Sequence, residues 1–266
     1  MKTYPALDVW CTSSDAILAR VDDFAPTAVE EHDDSLRIFF QTVSARDEAR
    51  AALAPQFDVA AIDVPDDDWA RRSQEHLAPI TVGRITIFPN PEALIPDPCA
   101  IAIVPSMGFG TGHHVTTRLC LEALQRIDLN DKLVVDVGTG SGVLAIAADR
   151  LGAARALGID NDPDAIQCAR ENLAVNPAVH AVDFGIADLT THPLPLADVV
   201  TANLTGALLI RAAPPLLAAV RSGGVLILSG LLAHERDEVC SAFAPATVVS
   251  ERQDEGWVGL VLMKKR

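Results

Sequence analysis

The sequence predicts an α/β protein with two domains: a Rossmann-like, doubly wound domain and, before it, a small α+β domain of the ferredoxin-like kind. From Cys99 onward, short apolar runs alternate with helical patterns, as in a sheet of buried parallel strands. A glycine-rich turn over residues 138–142 joins one of these runs to the helix after it. Residues 1–64 show the order strand, helix, strand, strand, helix, strand.

The first domain is predicted over residues 1–64. Its extended runs cover residues 3–10, 27–31, 35–42 and 57–64, and its amphipathic segments cover residues 12–24 and 45–54. Ferredoxin-like domains host many binding roles, so this architecture alone indicates no function. Residues 65–98 are predicted to be a linker, with a short helix over 67–77 and then a proline-rich stretch that contains two extended runs.

The second domain is predicted over residues 99–266. Its buried parallel strands cover residues 133–137, 156–159, 198–202 and 225–229, and its helices cover 142–151, 163–175, 206–220 and 235–243. The connections between the strands are long enough for right-handed crossovers. Two late extended runs, 246–251 and 256–263, could add an antiparallel edge to the sheet.

Composition and charge exclude several classes of protein. No apolar run reaches the roughly 20 residues of a membrane-spanning helix, and the N-terminus has no secretory pattern. Five scattered cysteines without a C-x-x-C pair predict a reduced, cytoplasmic protein rather than a disulfide framework. The net charge of −15 would repel nucleic acid and attract a lysine-rich protein. It could equally serve only to keep the protein soluble.

The cofactor prediction rests on the sequence D-V-G-T-G-S-G at residues 136–142. Gly138, Gly140 and Gly142 let the backbone pass close under a ligand and present N–H groups at a helix N-terminus. Asp160 ends the next strand, where a carboxylate can bind two ribose hydroxyls. A dinucleotide and S-adenosylmethionine both fit these features, and a tight turn without a ligand is the alternative.

Two residues favour S-adenosylmethionine over a dinucleotide. The pyrophosphate fingerprint G-x-G-x-x-G would need glycine at position 143, which is Val143. Asp136 would repel a pyrophosphate, whereas it suits the ammonium group of a methionine moiety. S-adenosylmethionine carries no phosphate and has a positive sulfonium, so it is the predicted cofactor.

Two further polar residues follow strands at the same rim of the sheet. Asp188 could accept a hydrogen bond from the adenine amino group, or it could be an ordinary loop residue. Asn203 ends the fourth strand and could orient an incoming amine, or it could cap the helix that starts near Gly206.

The segment 106–117 is predicted to be a mobile lid, because Gly108, Gly110 and Gly112 alternate along it. Either Thr116 or Thr117 can cap the next helix while facing the methionine carboxylate. His113 and His114 are adjacent, and two neighbouring histidines could suggest a metal-binding site. Neighbouring side chains diverge, however, and no third ligand lies nearby in the sequence, so no metal site is predicted.

Several motifs together resemble the PrmA family of bacterial methyltransferases, which modify a large-subunit ribosomal protein. They are P-S-M-G-F-G-T-G-H-H-V-T-T at 105–117, D-V-G-T-G-S-G at 136–142, G-I-D-N-D-P at 158–163, A-N-L at 202–204 and E-G-W at 255–257. The resemblance covers residues 66–263. In residues 1–64 the resemblance is limited to the architecture of the domain.

The resemblance implies a seven-stranded class I methyltransferase domain and trimethylation of lysine and N-terminal amines, with S-adenosylmethionine as donor. It implies that the first domain docks the substrate protein, and that Thr117, Gly138, Asp160 and Asn203 contact the cofactor. Leu204 departs from the N-P-P-[YF] motif of glutamine and adenine methyltransferases. A planar amide or base is therefore not the expected substrate.

Methyl transfer to an amine depends mainly on positioning, because the amine attacks the methyl carbon in line with the departing sulfur. Burial beside a sulfonium would lower the pKa of a lysine from about 10.4 toward neutrality, so no general base is assigned. Asn203, Gly108 and Thr111 are the predicted catalytic residues. Two other functions stay open: a methyltransferase for lysines of another protein, and a non-catalytic binding module for S-adenosylmethionine.

Overall fold

The structure is a computed structural model that describes residues 3–265 except 11–16, 18–19, 22–23, 25, 32–34, 66–76, 106–112 and 189–192. The chain divides into two compact units, Met1–Glu75 and His76–Arg266. The helix predicted over 67–77 lies almost wholly outside the described residues. No helix in the described part of the chain is long and apolar enough to span a membrane.

The first unit is built on a four-stranded antiparallel sheet in the order β2-β3-β1-β4. Its elements are β1 (Thr3–Trp10), β2 (Pro26–Glu31), β3 (Ser35–Phe40), α1 (Val43–Leu53) and β4 (Asp58–Pro65). This strand order is that of a ferredoxin-like domain. The first predicted helix lies mostly outside the described residues, but Ile17 and Val21 are helical and pack in the core of the unit.

Strand β3 ends two residues earlier than predicted because Thr42 begins the next element. Its hydroxyl accepts a hydrogen bond from the N–H of Ala45 at 3.2 Å and so caps α1. An N-cap residue satisfies a backbone donor that the helix itself leaves unpaired.

The second unit begins with a small sheet of β5 (Ile80–Val82), β6 (Ile85–Phe88) and β7 (Ala100–Ala102). Residues 80–88 were predicted to be part of the linker. In the structure, Val82, Ile85 and Ile87 belong to a buried cluster that also contains Val134 of the main sheet. The extended segment before residue 99 is thus part of the packing of this unit.

The main sheet has seven strands in the order β10-β9-β8-β11-β12-β14-β13. They are β8 (Leu133–Val137), β9 (Arg155–Asp160), β10 (Val182–Ile186), β11 (Ala197–Asn203), β12 (Val220–Leu232), β13 (Ala246–Asp254) and β14 (Trp257–Lys264). The first five strands in this order are parallel, and β14 runs antiparallel to both its neighbours. The predicted seven-stranded α/β domain with an antiparallel edge is confirmed.

Helices cover both faces of this sheet. They are α2 (Val115–Leu124), α3 (Val143–Arg150), α4 (Pro163–Ala174), α5 (Gly206–Ala219) and α6 (Arg236–Ala242). Buried side chains of α2, α3 and α4 pack in one hydrophobic cluster, and those of α5 and α6 pack in a second. The strand order reverses between β8 and β11, and in such sheets ligands bind beyond the carboxyl ends of the strands at this point.

Candidate active site

The glycine-rich turn follows β8 and leads directly into α3. Gly138, Gly140 and Gly142 have φ angles of 69°, 51° and 82°, a region that side chains with a Cβ rarely adopt. A Cβ at Gly138 would also run into the side chain of Leu204. A Cβ at Gly142 would lie 2.7 Å from the ring of Phe184. The turn therefore requires glycine both for its conformation and for the space around it.

The side chain of Asp136 is buried beneath this turn, with 1% of the residue exposed. One carboxylate oxygen accepts a hydrogen bond from the Thr201 hydroxyl at 2.5 Å, and the other accepts one from the Thr139 hydroxyl at 2.7 Å. Burial raises the pKa of Asp136 to about 6, although both hydrogen bonds act in the opposite direction. Each oxygen keeps a second lone pair, and a contact with a methionine ammonium remains a prediction.

Asp160 lies at the end of β9, next to the turn. Its Oδ2 accepts a hydrogen bond from the N–H of Gly140 at 3.0 Å, and its Oδ1 accepts one from the N–H of Asp162 at 3.1 Å. The Asp160 carbonyl accepts a further bond from the N–H of Ala187, which places Asp188 just beyond β10 at the same rim. Asp160 and Asp188 are thus at the crevice, and their ribose and adenine roles remain predictions.

Asn203 is the last residue of β11, beside the end of β8. Its Nδ2 lies 3.4 Å from the Thr117 hydroxyl, to which it can donate. Its Oδ1 is buried and has no hydrogen-bond partner among the residues that the structure describes. Helix α5 has Thr205, not Asn203, at its N-cap position, so the capping alternative for Asn203 is wrong. A buried hydrogen-bond acceptor without a partner destabilises the folded protein. It therefore indicates a ligand that supplies a hydrogen-bond donor.

The N-terminus of α2 is capped differently from the prediction. His114, rather than Thr116 or Thr117, is the N-cap residue, and its Nδ1 accepts a hydrogen bond from the N–H of Thr116 at 3.3 Å. Its ring meets that of Trp257 edge-on, with 5.1 Å between ring centroids. Burial, together with the charge of Arg118, lowers the pKa of His114. The neutral ring that this favours can act as the cap acceptor.

Residues 106–112 of the predicted lid lie outside the described residues, whereas its last residues, 115–117, form the first turn of α2. Gly108 and Thr111, predicted to be catalytic, are among residues 106–112 and keep that role only as a prediction. The neighbouring His113 lies with its Nε2 3.1 Å from the carbonyl oxygen of Ala78. Within the described part of the chain, no group of three or more His, Cys, Asp or Glu side chains could hold a metal ion.

The matching family model and two similar relatives carry the same family description. A family model described as "Ribosomal protein L11 methyltransferase (PrmA)" matches residues 22–265. A ribosomal protein L11 methyltransferase from Geobacter sulfurreducens is 44% identical over 208 residues, which cover 74% of this chain and 67% of the relative. One from Geobacter metallireducens is 40% identical over 245 residues, covering 84% of this chain and 79% of the relative.

A solved structure supports the same relationship. The crystal structure of ribosomal protein L11 methylase from Lactobacillus delbrueckii subsp. bulgaricus is 28% identical, with a TM-score of 0.65. The alignment covers 72% of this chain and 100% of that one. The family model extends over most of the sequence and includes the glycine turn and Asn203 at the rim of the sheet. This chain belongs to the ribosomal protein L11 methyltransferase (PrmA) family.

Proposed function

We propose that this chain is an S-adenosylmethionine-dependent N-methyltransferase that modifies lysine and N-terminal amines of ribosomal protein L11. The observation that carries the proposal is the buried, unpartnered Oδ1 of Asn203 at the carboxyl end of β11. An acceptor in this position suits a substrate that brings an N–H donor, as an amine does. Relatives that are 40–44% identical to this chain over the aligned residues are named for the same activity.

The residues at the rim fit the proposed cofactor, which supplies a methyl group on a positively charged sulfur. The glycine turn has positive φ angles and leads into the N-terminus of α3, where its backbone can approach a ligand closely. The acidic side chains of Asp136 and Asp160 suit a ligand without phosphate. We assign the ribose hydroxyls to Asp160 and the adenine amino group to Asp188. Thr117 and the turn, with the charge of Asp136 beneath it, would hold the methionine end.

Asn203 would hold the amine by accepting, at Oδ1, a hydrogen bond from one of the amine N–H groups. The hydrogen bond fixes the orientation of the nitrogen, so its lone pair can be directed at the methyl carbon. Thr117, within 3.4 Å of Nδ2, would keep the amide from rotating. The residues in this arrangement thus contribute position rather than proton transfer, and the amine loses its proton to solvent because burial beside the sulfonium lowers its pKa.

The substrate assignment draws support from the distribution of charge. Of the 36 acidic residues in the chain, 16 lie within residues 1–75, where there are only 7 of the 21 lysines and arginines. An acidic unit attracts a basic protein, and ribosomal proteins that bind RNA are commonly basic. We therefore assign docking of the ribosomal protein to residues 1–64, and trimethylation of its amines to the second unit. Since that substrate is a ribosomal protein, we place the reaction in the cytoplasm.

The test uses labelled S-adenosylmethionine and an extract from cells that lack this protein. Addition of the purified chain should label one major band, which mass spectrometry should identify as ribosomal protein L11. The Asn203→Ala variant should leave that band largely unlabelled. Label on a different protein would overturn the substrate assignment. If no protein is labelled although the chain binds the cofactor, the chain is a binding module and the enzymatic proposal fails.

A further inference from the structure

Two buried asparagines lie at the C-terminal end of α4, outside the residues assigned above. Asn172 and Asn176 are 1% and 3% exposed. They are four residues apart, so they lie on the same side of the helix end. A buried amide must find partners for one acceptor and two donor hydrogens, and both side chains do so mainly with backbone groups.

The side-chain amide of Asn176 hydrogen-bonds to the backbone of β7 at the edge where the structure describes no neighbouring strand. Its Oδ1 accepts from the N–H of Ala102 at 2.8 Å, and its Nδ2 donates to the carbonyl of the same residue at 2.7 Å. The other side of Ala102 pairs with Phe88 in β6. A further bond runs from Nδ2 to the carbonyl of Asn172 at 2.6 Å. Among the described residues, the hydrogen bonds of the Asn176 side chain thus go to β7 and to the end of α4.

Asn172 joins two segments that are far apart in the sequence. Its Oδ1 accepts from the N–H of Val104 at 2.9 Å, two residues before the segment 106–112. Its Nδ2 donates at 2.9 Å to the carbonyl of Ser141, which lies between Gly140 and Gly142 in the cofactor turn. The Sγ of Cys168, at 3.7 Å, is the remaining partner.

The connection matters because the glycine turn has little conformational preference of its own. Gly140 and Gly142, on either side of Ser141, can each adopt many backbone conformations. The amide of Asn172 selects one orientation of the Ser141 carbonyl and ties it to residue 104. The same side chain thus sets the position of the turn relative to the backbone that follows β7.

We propose that Asn172 is a positioning residue of the methyltransferase site, and that it fixes the glycine turn by tying Ser141 to Val104, just after β7. This inference rests on the proposed function, because it takes the turn to be the cofactor site. Asn176 should have no such role. Its side chain is similarly buried and also bonds to backbone, but in the described part of the chain it makes no hydrogen bond with the turn.

The test compares matched alanine variants of the full-length chain, Asn172→Ala and Asn176→Ala. Both remove an amide that pairs with backbone, so both should lower the melting temperature. Affinity for S-adenosylhomocysteine, measured by calorimetry well below the melting transition, should fall about tenfold or more for Asn172→Ala. For Asn176→Ala it should stay within about threefold of wild type. Equal affinity losses in the two variants, or none in either, would overturn the inference.

A second pair, Asn172→Asp and Asn176→Asp, adds a readout that general destabilisation would not produce. An ionised carboxylate at position 172 can accept from Val104 but cannot donate to Ser141, whereas a protonated carboxyl can do both. The affinity of Asn172→Asp relative to wild type should therefore decline as the pH is raised from 5.5 to 9. Asn176→Asp should show no such dependence. A loss at position 172 that does not change with pH would contradict the inference.

Failure of the proposed function and failure of the role of Asn172 give different results in these experiments. If wild-type protein binds no S-adenosylhomocysteine, the proposed function fails, and the role of Asn172 falls with it. If wild type binds and the two positions behave alike, only the role of Asn172 is overturned.

Discussion

The carboxylate of Asp160 accepts a hydrogen bond from the N–H of Gly140 at 3.0 Å, which joins the end of β9 to the middle of the glycine turn. The turn is thus held by the same side chain that is predicted to bind the ribose hydroxyls. This arrangement gives Asp160 two effects on the cofactor, one direct and one through the shape of the turn.

Replacement of Asp160 by alanine should weaken cofactor binding by about 1–3 kcal/mol, the cost of leaving partly buried polar groups unpaired. Asp162→Ala is a matched control, because Asp162 caps α4 through the N–H of Asp164 and is exposed. It should reduce stability by about 1 kcal/mol with unchanged affinity. Calorimetric titration with S-adenosylhomocysteine distinguishes them. Unchanged affinity in Asp160→Ala would exclude the ribose assignment.

The raised pKa of Asp136 should make stability depend on pH. Its pKa is about 6 in the folded protein, against a reference value of 3.8. The protonated form is thus favoured by folding, so its stabilising contribution is present at low pH and is lost as the pH rises from about 4 to 6.

Asp136→Asn provides the comparison, because the amide does not titrate. The melting temperature of wild type relative to this variant should decrease as the pH is raised from 4 to 7. The corresponding change in unfolding free energy should be at most roughly 3 kcal/mol. A difference between the two proteins that is constant over this range would show that Asp136 does not titrate there.

Asn203→Ala should act mainly on turnover. Loss of the buried acceptor Oδ1 should lower kcat on the protein substrate by about 5- to 150-fold, equivalent to about 1–3 kcal/mol. Thr117→Ser keeps the hydroxyl near Nδ2 and should retain most of the activity. Single-turnover assays at saturating cofactor measure this directly. Wild-type rates in Asn203→Ala would exclude the positioning role.

Removal of residues 1–75 should separate docking from cofactor binding. The two units have their own buried clusters, and all the proposed cofactor residues lie in the second. The shortened chain should bind S-adenosylhomocysteine as the full chain does, while activity on the intact ribosomal protein collapses. Short lysine peptides at high concentration should lose much less activity. Activity on the intact partner that survives truncation would rule out the docking role.

The sequence predicts best where the determinants are local. Strand β8 was predicted with its exact bounds, 133–137, because a short apolar run there meets a glycine turn. The glycine turn itself lies within seven consecutive residues. By contrast, the end of β3 was misplaced because Thr42 could extend a strand or cap a helix, and only the fold determines which.

Residues with distant partners could not be predicted in this way. Asn172 contacts residues 31 and 68 positions away, and nothing in its neighbourhood in the sequence indicates either contact. The sequence gives no sign that His114 packs against Trp257, because Trp257 comes from β14, the last strand in the chain. The segment 80–88 was assigned to a linker because its packing partners lie further along the chain.

The roles of the glycine turn, Asp136 and Asp160 all depend on the identity of the cofactor. Calorimetric titration of the purified chain with S-adenosylmethionine and, separately, with NAD tests it most directly. S-adenosylmethionine should bind saturably, and Asp160→Ala should weaken this binding, whereas binding of NAD should be much weaker or undetectable. Tighter binding of NAD than of S-adenosylmethionine would contradict the cofactor assignment.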